Sequence, residues 1–567
     1  MTETLKETKA QRVERLKREK NPWDGLAEIR SFARQGFSSI PKEWIGTYFR
    51  WWGVYTQGDG NGVLGGQNGE GKALPYFMVR IRIPNGILTS HQLRTISAVT
   101  KRYARGSADL TVRQNIQLHW ITIEELPEVM EALWAANLNT LGACGDVTRN
   151  VTGCPVAGID HEEILDASPL ALAIDRELAG NAEFYNLPRK FKISIAGCRE
   201  WCSYPEINDV GLTAVTRTSV GKLETGFSLR VGGGLSADPH LALRLNAFVR
   251  QQQVIPVVRA IAEIFRDSID LREHRERARL KFLFLRPGWT AERFQDEIEQ
   301  RLGYRLDPAE DEPQPFDVYR DHVGIHPQKQ EGLFYLGATV LRGRISADQM
   351  SAAATLADRF ADGNLRTTNM QNLLIINVPR QNTDVLAREL DAIGLSVHGS
   401  AFARGIVACS GTEFCKLAIT ETKAFSRWLV DELDERLPGF EQDLKIHVTG
   451  CPNSCGQHWI ADLGIEGKKL KVDGNFVDAY YFCVGGSLGA LASIARPIGY
   501  RCAAFEVPDA IERLLSKYRE DRRPAENLRG FFHRHTDAEL RNFLAGEVVL
   551  PVDRDPAPGP LPHGLEG

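Results

Sequence analysis

The sequence predicts an α+β fold made of two diverged copies of one large module, and three observations lead there. Strand-like runs such as Phe77-Met78-Val79-Arg80-Ile81-Arg82-Ile83 and Asn372-Leu373-Leu374-Ile375-Ile376-Asn377-Val378 alternate with helical patterns over Glu128 to Ala136 and Ala424 to Leu433. Gly197-Cys198-Arg199-Glu200-Trp201-Cys202 returns 253 residues later as Gly450-Cys451-Pro452-Asn453-Ser454-Cys455. The same offset carries Asp209-Val210-Gly211-Leu212 onto Asp462-Leu463-Gly464-Ile465 and Val231-Gly232-Gly233-Gly234-Leu235 onto Val484-Gly485-Gly486-Ser487-Leu488. At slightly larger offsets, Thr111-Val112-Arg113-Gln114-Asn115 resembles Thr368-Asn369-Met370-Gln371-Asn372, and Ala143-Cys144 resembles Ala408-Cys409. A period this long is a duplication rather than a solenoid, and a pseudo-twofold arrangement around a shared site follows from it.

The 567 residues exceed what one hydrophobic core supports, and 43% hydrophobic with 25% charged residues is the composition of a globular chain. A formal net charge of -4 supplies no basic field for wrapping nucleic acid. No apolar run is long enough to span a bilayer and the N-terminus lacks a signal-peptide core, so no membrane association and a cytoplasmic location are expected. Residues 1–20, with seven Lys/Arg and four Glu, predict a solvated, partly helical arm. Pro551 to Gly567, with five prolines and three glycines, predicts a flexible tail.

Ten cysteines are too sparse for a disulfide scaffold, which makes their spacing informative. Cys409, Cys415, Cys451 and Cys455 read as C-x5-C followed by C-x3-C. Four thiolates on two loops can hold an iron–sulfur cluster or zinc. The small neighbours Gly450, Pro452, Ser454 and Gly456 favour the cluster, because they let backbone N–H groups reach the sulfurs. Cys144, Cys154, Cys198 and Cys202 leave a second cluster as an alternative, although Arg199, Glu200 and Trp201 are bulkier neighbours. Cys483 and Cys502 fit no ligand spacing and are expected to be structural.

Arg80, Arg149, Lys190 and Lys192 stand in apolar or small surroundings. Period-two alternation places Lys190 and Lys192 on one face of a strand, where they can converge on an anion. The same alternation sets Arg113, Asn115, Gln117 and His119 on one face, suited to binding carboxylates; His119 is not expected to be a metal ligand. A zinc-stabilised binding or scaffold protein, with these cations on phosphate, is the alternative of a different class.

Taken in order, Thr-Val-Arg-Gln-Asn-Ile-Gln, Asp-Val-Thr-Arg-Asn-Val, Leu-Pro-Arg-Lys-Phe-Lys, Cys-Ser-Gly-Thr-Glu-Phe-Cys-Lys-Leu-Ala-Ile-Thr-Glu-Thr-Lys and Thr-Gly-Cys-Pro-Asn-Ser-Cys-Gly resemble the sirohaem-dependent nitrite/sulfite reductase family. The resemblance runs from about residue 50 to 490. It implies an N-terminal arm (1–45), a first ferredoxin-like half-domain (46–137), a first sirohaem-binding module (138–318), a second half-domain (319–398), a second module carrying the cluster (399–548) and a tail (549–567). It implies that Cys409, Cys415, Cys451 and Cys455 bind a [4Fe–4S] cluster, with Cys455 also the axial ligand of sirohaem iron. It places Arg80, Arg149, Lys190 and Lys192 around the substrate anion, and Arg113, Gln117, Gln371 and Asn372 in a cradle for the carboxylates of sirohaem. Some relatives place a cysteine where Cys144 stands beside a tyrosine, which makes Tyr55 and Cys144 candidates for a covalent link.

Lys-x-Lys at Lys190-Phe191-Lys192 resembles members acting on sulfite, and Asn at the second position those acting on nitrite. The implied activity is six-electron reduction of sulfite to sulfide, with nitrite to ammonia as the alternative. Residues 1–45 are too short for a flavin domain and no G-x-G-x-x-G follows a strand at either end. Reduced ferredoxin is therefore the expected donor, docking on a local basic patch near the cluster, with a flavoprotein reductase subunit as the alternative. A monomer is expected.

Overall fold

The computed structural model describes residues 7–61, 71–219, 221–316 and 318–546. The expected tail at 549–567 lies outside them. The chain divides into two compact units, one spanning Met1–Asp59 and Lys72–Gly399, the other Gly60–Gly71 and Ser400–Gly567. Among the described residues no helix is long and apolar enough to cross a membrane.

In the first unit, β1 (Val54–Gly58), β2 (Ala73–Ile81), β3 (Ile87–Thr89), β4 (Ser107–Leu110) and β5 (Ile116–Ile121) precede a module containing β6 (Thr152–Gly153), β7 (Ile193–Ala196), β8 (Val210–Ser219), β9 (Lys222–Val231) and β10 (Leu243–Arg250). A second half-domain follows with β11 (Gly324–Pro327), β12 (Leu333–Ala338), β13 (Arg344–Ser346), β14 (Asn364–Thr367) and β15 (Leu373–Pro379). The two half-domains exchange a strand. One sheet has the order β1-β2-β5-β4-β13 and the other β11-β12-β15-β14-β3, so each closes on an edge donated by the other half. Asp109 pairs with Arg344 in the first sheet and Asn364 with Thr89 in the second.

Local chemistry prepares each exchange. Gly86 and Gly343 precede the donated strands with φ of 69° and 68°, in the left-handed region that favours glycine. A Cβ would lie 2.2 Å from the Thr367 carbonyl oxygen at Gly86 and 2.8 Å from that of Leu110 at Gly343. Each donated strand runs into a helix through a capping box, Thr89 with Gln92 for α2 (Ser90–Tyr103) and Ser346 with Gln349 for α3 (Ala347–Phe360), which satisfies the first free N–H groups. Ser97 Oγ donates to the Ala347 carbonyl at 2.6 Å, tying the two helices.

The arm expected over residues 1–20 is helical over Lys9–Glu19 but is not solvated. Leu16, Ile29, Phe32, Ile40 and Trp44 join one core with Phe49 and Phe77. Helix α1 (Lys9–Glu19) buries Lys17 completely, where its amine meets Glu14, donates to the Leu187 carbonyl at 2.9 Å and lies 3.6 Å from Asp146. Composition misleads here because the partner that makes this lysine buriable lies far along the chain.

The module sheet, β10-β9-β8-β7-β6, joins a parallel part (β6-β7-β8) to an antiparallel one. The second unit repeats it with β16 (Ile406–Ala408), β17 (Ile446–Thr449), β18 (Leu463–Val472), β19 (Asn475–Val484) and β20 (Arg496–Ala503), where β16-β17-β18 are parallel and the rest antiparallel. Topology thus matches β6 with β16, and Cys154, just after β6, takes the place of Cys409, just after β16. The sequence pairing of Cys144 with Cys409 is corrected, since Cys144 lies well before β6. The strand expected to carry Arg113 and Asn115 begins only at Ile116: both residues sit in a turn with Gln114 at φ 59°. Lys190 and Lys192 likewise precede β7, flanking an isolated bridge between Phe191 and Thr148.

Candidate active site

The first unit gathers the predicted cations. Register places Arg80 on β2 opposite Gln117 on β5, and Gln117 Oε1 accepts from Arg80 Nε at 2.9 Å and Nη2 at 2.6 Å. The row continues through Asp109 on β4 to Arg344 on the exchanged β13, whose Nε and Nη2 donate to the Asp109 carboxylate at 2.9 and 3.1 Å. His119 Nε2 stands 3.2 Å from that carboxylate. Arg80 Nη1 also reaches the Ala143 carbonyl at 3.3 Å and Cys144 Sγ at 3.1 Å. Arg149 Nη1 reaches the same carbonyl at 3.1 Å, and its Nε and Nη2 hold Gly145 O at 3.0 and 2.8 Å. Two guanidinium groups therefore converge on one carbonyl.

Arg113 donates to Asn208 Oδ1 at 2.7 Å and to the Asn150 carbonyl at 2.6 Å. Burial, with Arg149, Arg279 and Arg80 nearby, pushes its pKa down to about 9, which leaves it charged at neutral pH. Lys192 is affected more strongly. Burial first, then Lys190, Arg113 and Arg279, drive its amine well below the ordinary lysine range, against the opposing pull of Asp209. Tyr55 is pushed up by burial and by Cys144 beside it. A cavity of about 30 Å³ is lined by Tyr55 and Arg149 together with Arg50, Arg189, Arg275 and Asp146. Asp146, Arg149 and Arg189 stood in motifs the sequence singled out and Tyr55 was named beside Cys144, whereas Arg50 and Arg275 carry no local signal.

Gln371 and Asn372 have a different surrounding. Gln371 Nε2 donates to the Leu110 carbonyl at 2.8 Å and Asn372 Oδ1 accepts from Val340 N at 3.0 Å, so both amides brace backbone at the strand exchange. Asn115 does the same for Ile83 N at 3.3 Å.

The carboxylates near these cations are already matched. Asp209 receives Arg279 at 3.1 and 2.8 Å. Burial opposes ionisation of Asp146, but Arg275, Lys17 and Arg189 outweigh it and hold its carboxyl far below the usual range. A buried excess of positive charge is costly unless a polyanion shares it, and a macrocycle bearing several carboxylates is such a group.

In the second unit, Cys409 and Cys451 follow the carboxyl ends of parallel strands β16 and β17, where open α/β sheets present ligand sites. Gly450 N donates to Cys409 Sγ at 3.2 Å and Asn453 Nδ2 lies 3.4 Å from Cys451 Sγ. A Cβ on Gly450 would come within 2.9 Å of the Thr420 carbonyl oxygen, so glycine is what admits this N–H–sulfur contact. Burial, then Cys455, pushes the Cys415 thiol up to about 12. Four thiols crowded in this way suit a polynuclear iron centre whose positive charge offsets their ionisation.

Comparison with known proteins identifies the family. The family model described as the nitrite and sulphite reductase 4Fe-4S domain matches residues 144–306 and 399–548, and the nitrite/sulfite reductase ferredoxin-like half domain matches 70–136 and 326–393. The chain belongs to the nitrite and sulfite reductase family, whose members carry sirohaem and a [4Fe–4S] cluster. It is 38% identical over 559 residues to the assimilatory ferredoxin-dependent nitrite reductase of Haloferax mediterranei, covering 93% of this chain and 91% of that one. It is 37% identical to sulfite reductase [ferredoxin] 1 of Mycolicibacterium paratuberculosis, covering 90% and 92%. The solved structure of the Mycobacterium tuberculosis NirA protein superposes with a TM-score of 0.88 at 35% identity, over 93% of this chain and 97% of that one.

Proposed function

We propose that the protein reduces sulfite to sulfide in six one-electron steps, with electrons from reduced ferredoxin. Sirohaem coupled to the cluster supplies electron delivery and the iron that binds the substrate anion. Cys409, Cys415, Cys451 and Cys455 would hold the cluster, Arg113 and Gln117 would hold carboxylates of the macrocycle, and Gln117 orients Arg80. Arg80, Arg149, Lys190 and Lys192 bind the oxyanion and gain strength as negative charge builds on the departing oxygens.

The observation that carries the choice of sulfite is Lys192. Burial and Lys190 hold its amine well below the usual lysine range, so an arriving dianion favours its protonated form more than a monoanion does, and the protonated amine can serve as a general acid. Nitrite to ammonia is the second reading, supported by the identity to the haloarchaeal enzyme. Steady-state turnover with reduced methyl viologen tests the choice. For Lys192→Asn, kcat/KM for sulfite should fall about 10- to 150-fold, the worth of a charged hydrogen bond of ~1.5–3 kcal/mol, with little change for nitrite. A wild-type preference for nitrite would overturn the assignment. The accompanying Tyr55–Cys144 link predicts a joined peptide in a tryptic digest; separate peptides alone would exclude it.

A further inference from the structure

The first unit holds a sulfur-rich site of its own that the proposed reaction does not use. Cys154, Cys198 and Cys202 share a buried cluster with Val156, Tyr335 and Leu374. Cys154 Sγ, Cys202 Sγ and a ring nitrogen of His322 lie within 4.8 Å of one another, and Cys198 Sγ is within the same distance of Cys154 Sγ. His322 is 3% exposed and neither ring nitrogen has a hydrogen-bond partner, an unfavourable placement for an imidazole without a ligand to bind.

The backbone holds the imidazole there. His322 has φ 62°, a strained value for a non-glycine residue. Asp321 Oδ1 accepts from Val323 N at 2.9 Å and braces the turn. Gly337 admits it, because a Cβ would fall 1.7 Å from the His322 carbonyl oxygen. Asp160, the other acidic group near Cys154, is engaged with Arg320, whose Nη2 donates to its Oδ1 at 3.2 Å.

We propose that Cys154, Cys198, Cys202 and His322 form a structural zinc site. By topology the three cysteines occupy the places of Cys409, Cys451 and Cys455. The fourth place, that of Cys415, has no cysteine here, and His322 arrives from a distant segment instead. Three sulfurs and one imidazole are a tetrahedral donor set that suits zinc. A tetrahedron with bonds of about 2.0–2.3 Å separates its ligand atoms by roughly 3.5 Å. Cys154 Sγ lies within 4.8 Å of each of the other three donor atoms, so the set needs only a contraction of Cys198 towards Cys202 and His322 to close around one ion, whereas a four-iron core would force the donors apart. Full burial and the lack of an open position make the site structural, pinning the loops after β6 and β7 to the segment before β11.

The test is metal analysis of the purified holoenzyme with zinc K-edge absorption spectroscopy. The expected result is about one zinc per chain beside the iron, with a shell of three sulfurs at about 2.3 Å and one nitrogen at about 2.0 Å. His322→Ala and Cys202→Ser should lose most of that zinc while iron content and visible spectrum stay as in the wild type. The absorption measurement needs no variant, so a misfolded mutant does not decide the matter. Zinc below about one-tenth of an equivalent in protein grown with zinc, a shell lacking sulfur, or additional iron in place of zinc would each overturn the proposal.

Discussion

Lys192 shows how much one residue's chemistry depends on neighbours that sequence order hides. If substrate binding protonates it, titration calorimetry of sulfite binding in buffers of different ionisation enthalpy should report net proton uptake, and Lys192→Asn should abolish it. His447 gives a second prediction at this scale. Burial and Lys445 push it down to about 3, below its unfolded value of about 6.5. Its neutral form is the one that folds, so stability is intact above about pH 6.5 and falls by ~1.4 kcal/mol per unit as pH drops towards 3. His447→Asn should flatten that part of the acid limb in urea unfolding midpoints measured against pH. The four cysteines of the second unit and Arg149, Lys190 and Lys192 stand out in the sequence because they sit in short motifs with their own spacing, and Arg80 because it interrupts an apolar strand run. Asp109, Arg344 and His322 do not, since each becomes meaningful only through a residue far along the chain.

Among the elements, α1 departs most from what its composition implies. Its polar surface looks solvated, yet Lys17 is enclosed with Glu14 and Asp146. Lys17→Ala should destabilise the first unit by about 3 kcal/mol, because Arg275 and Arg189 still hold Asp146, and deletion of residues 1–20 should do at least as much; a midpoint unchanged by the deletion would contradict the docking. The exchange turns behave differently. Gly86→Ala meets both a positive φ and a carbonyl at 2.2 Å, while Gly332→Ala meets a positive φ in open space. The first should cost about 2 kcal/mol more than the second in chemical denaturation. The strands and helices themselves followed their hydrophobic periods. The start of β5 did not, because alternation of residue types continues through the Arg113–Asn115 turn and conceals it.

For the molecule as a whole, duplication was visible as three motifs at one offset, but the exchange of strands was not, since a three-residue strand carries no mark of which sheet it joins. The exchange makes the half-domains dependent on each other. Residues 46–137 produced alone lack β13 and leave β3 without a sheet, so the fragment should give a disordered far-ultraviolet circular dichroism spectrum. Co-expression with residues 319–398 should restore mixed α and β signal, and a folded lone fragment would contradict the dependence. Docking of an acidic ferredoxin on a basic patch predicts that its KM rises steeply with ionic strength, while turnover with methyl viologen changes little.

The donated strand also sets a schedule for synthesis. Asp109 must wait for Arg344, 235 residues further along. At about 5–20 residues per second, the ribosome takes ~10–50 s to deliver that partner, and throughout this interval β4 is an open edge on a nascent chain. The edge is only four residues long, and the carboxylate at its centre discourages any other strand from pairing there first.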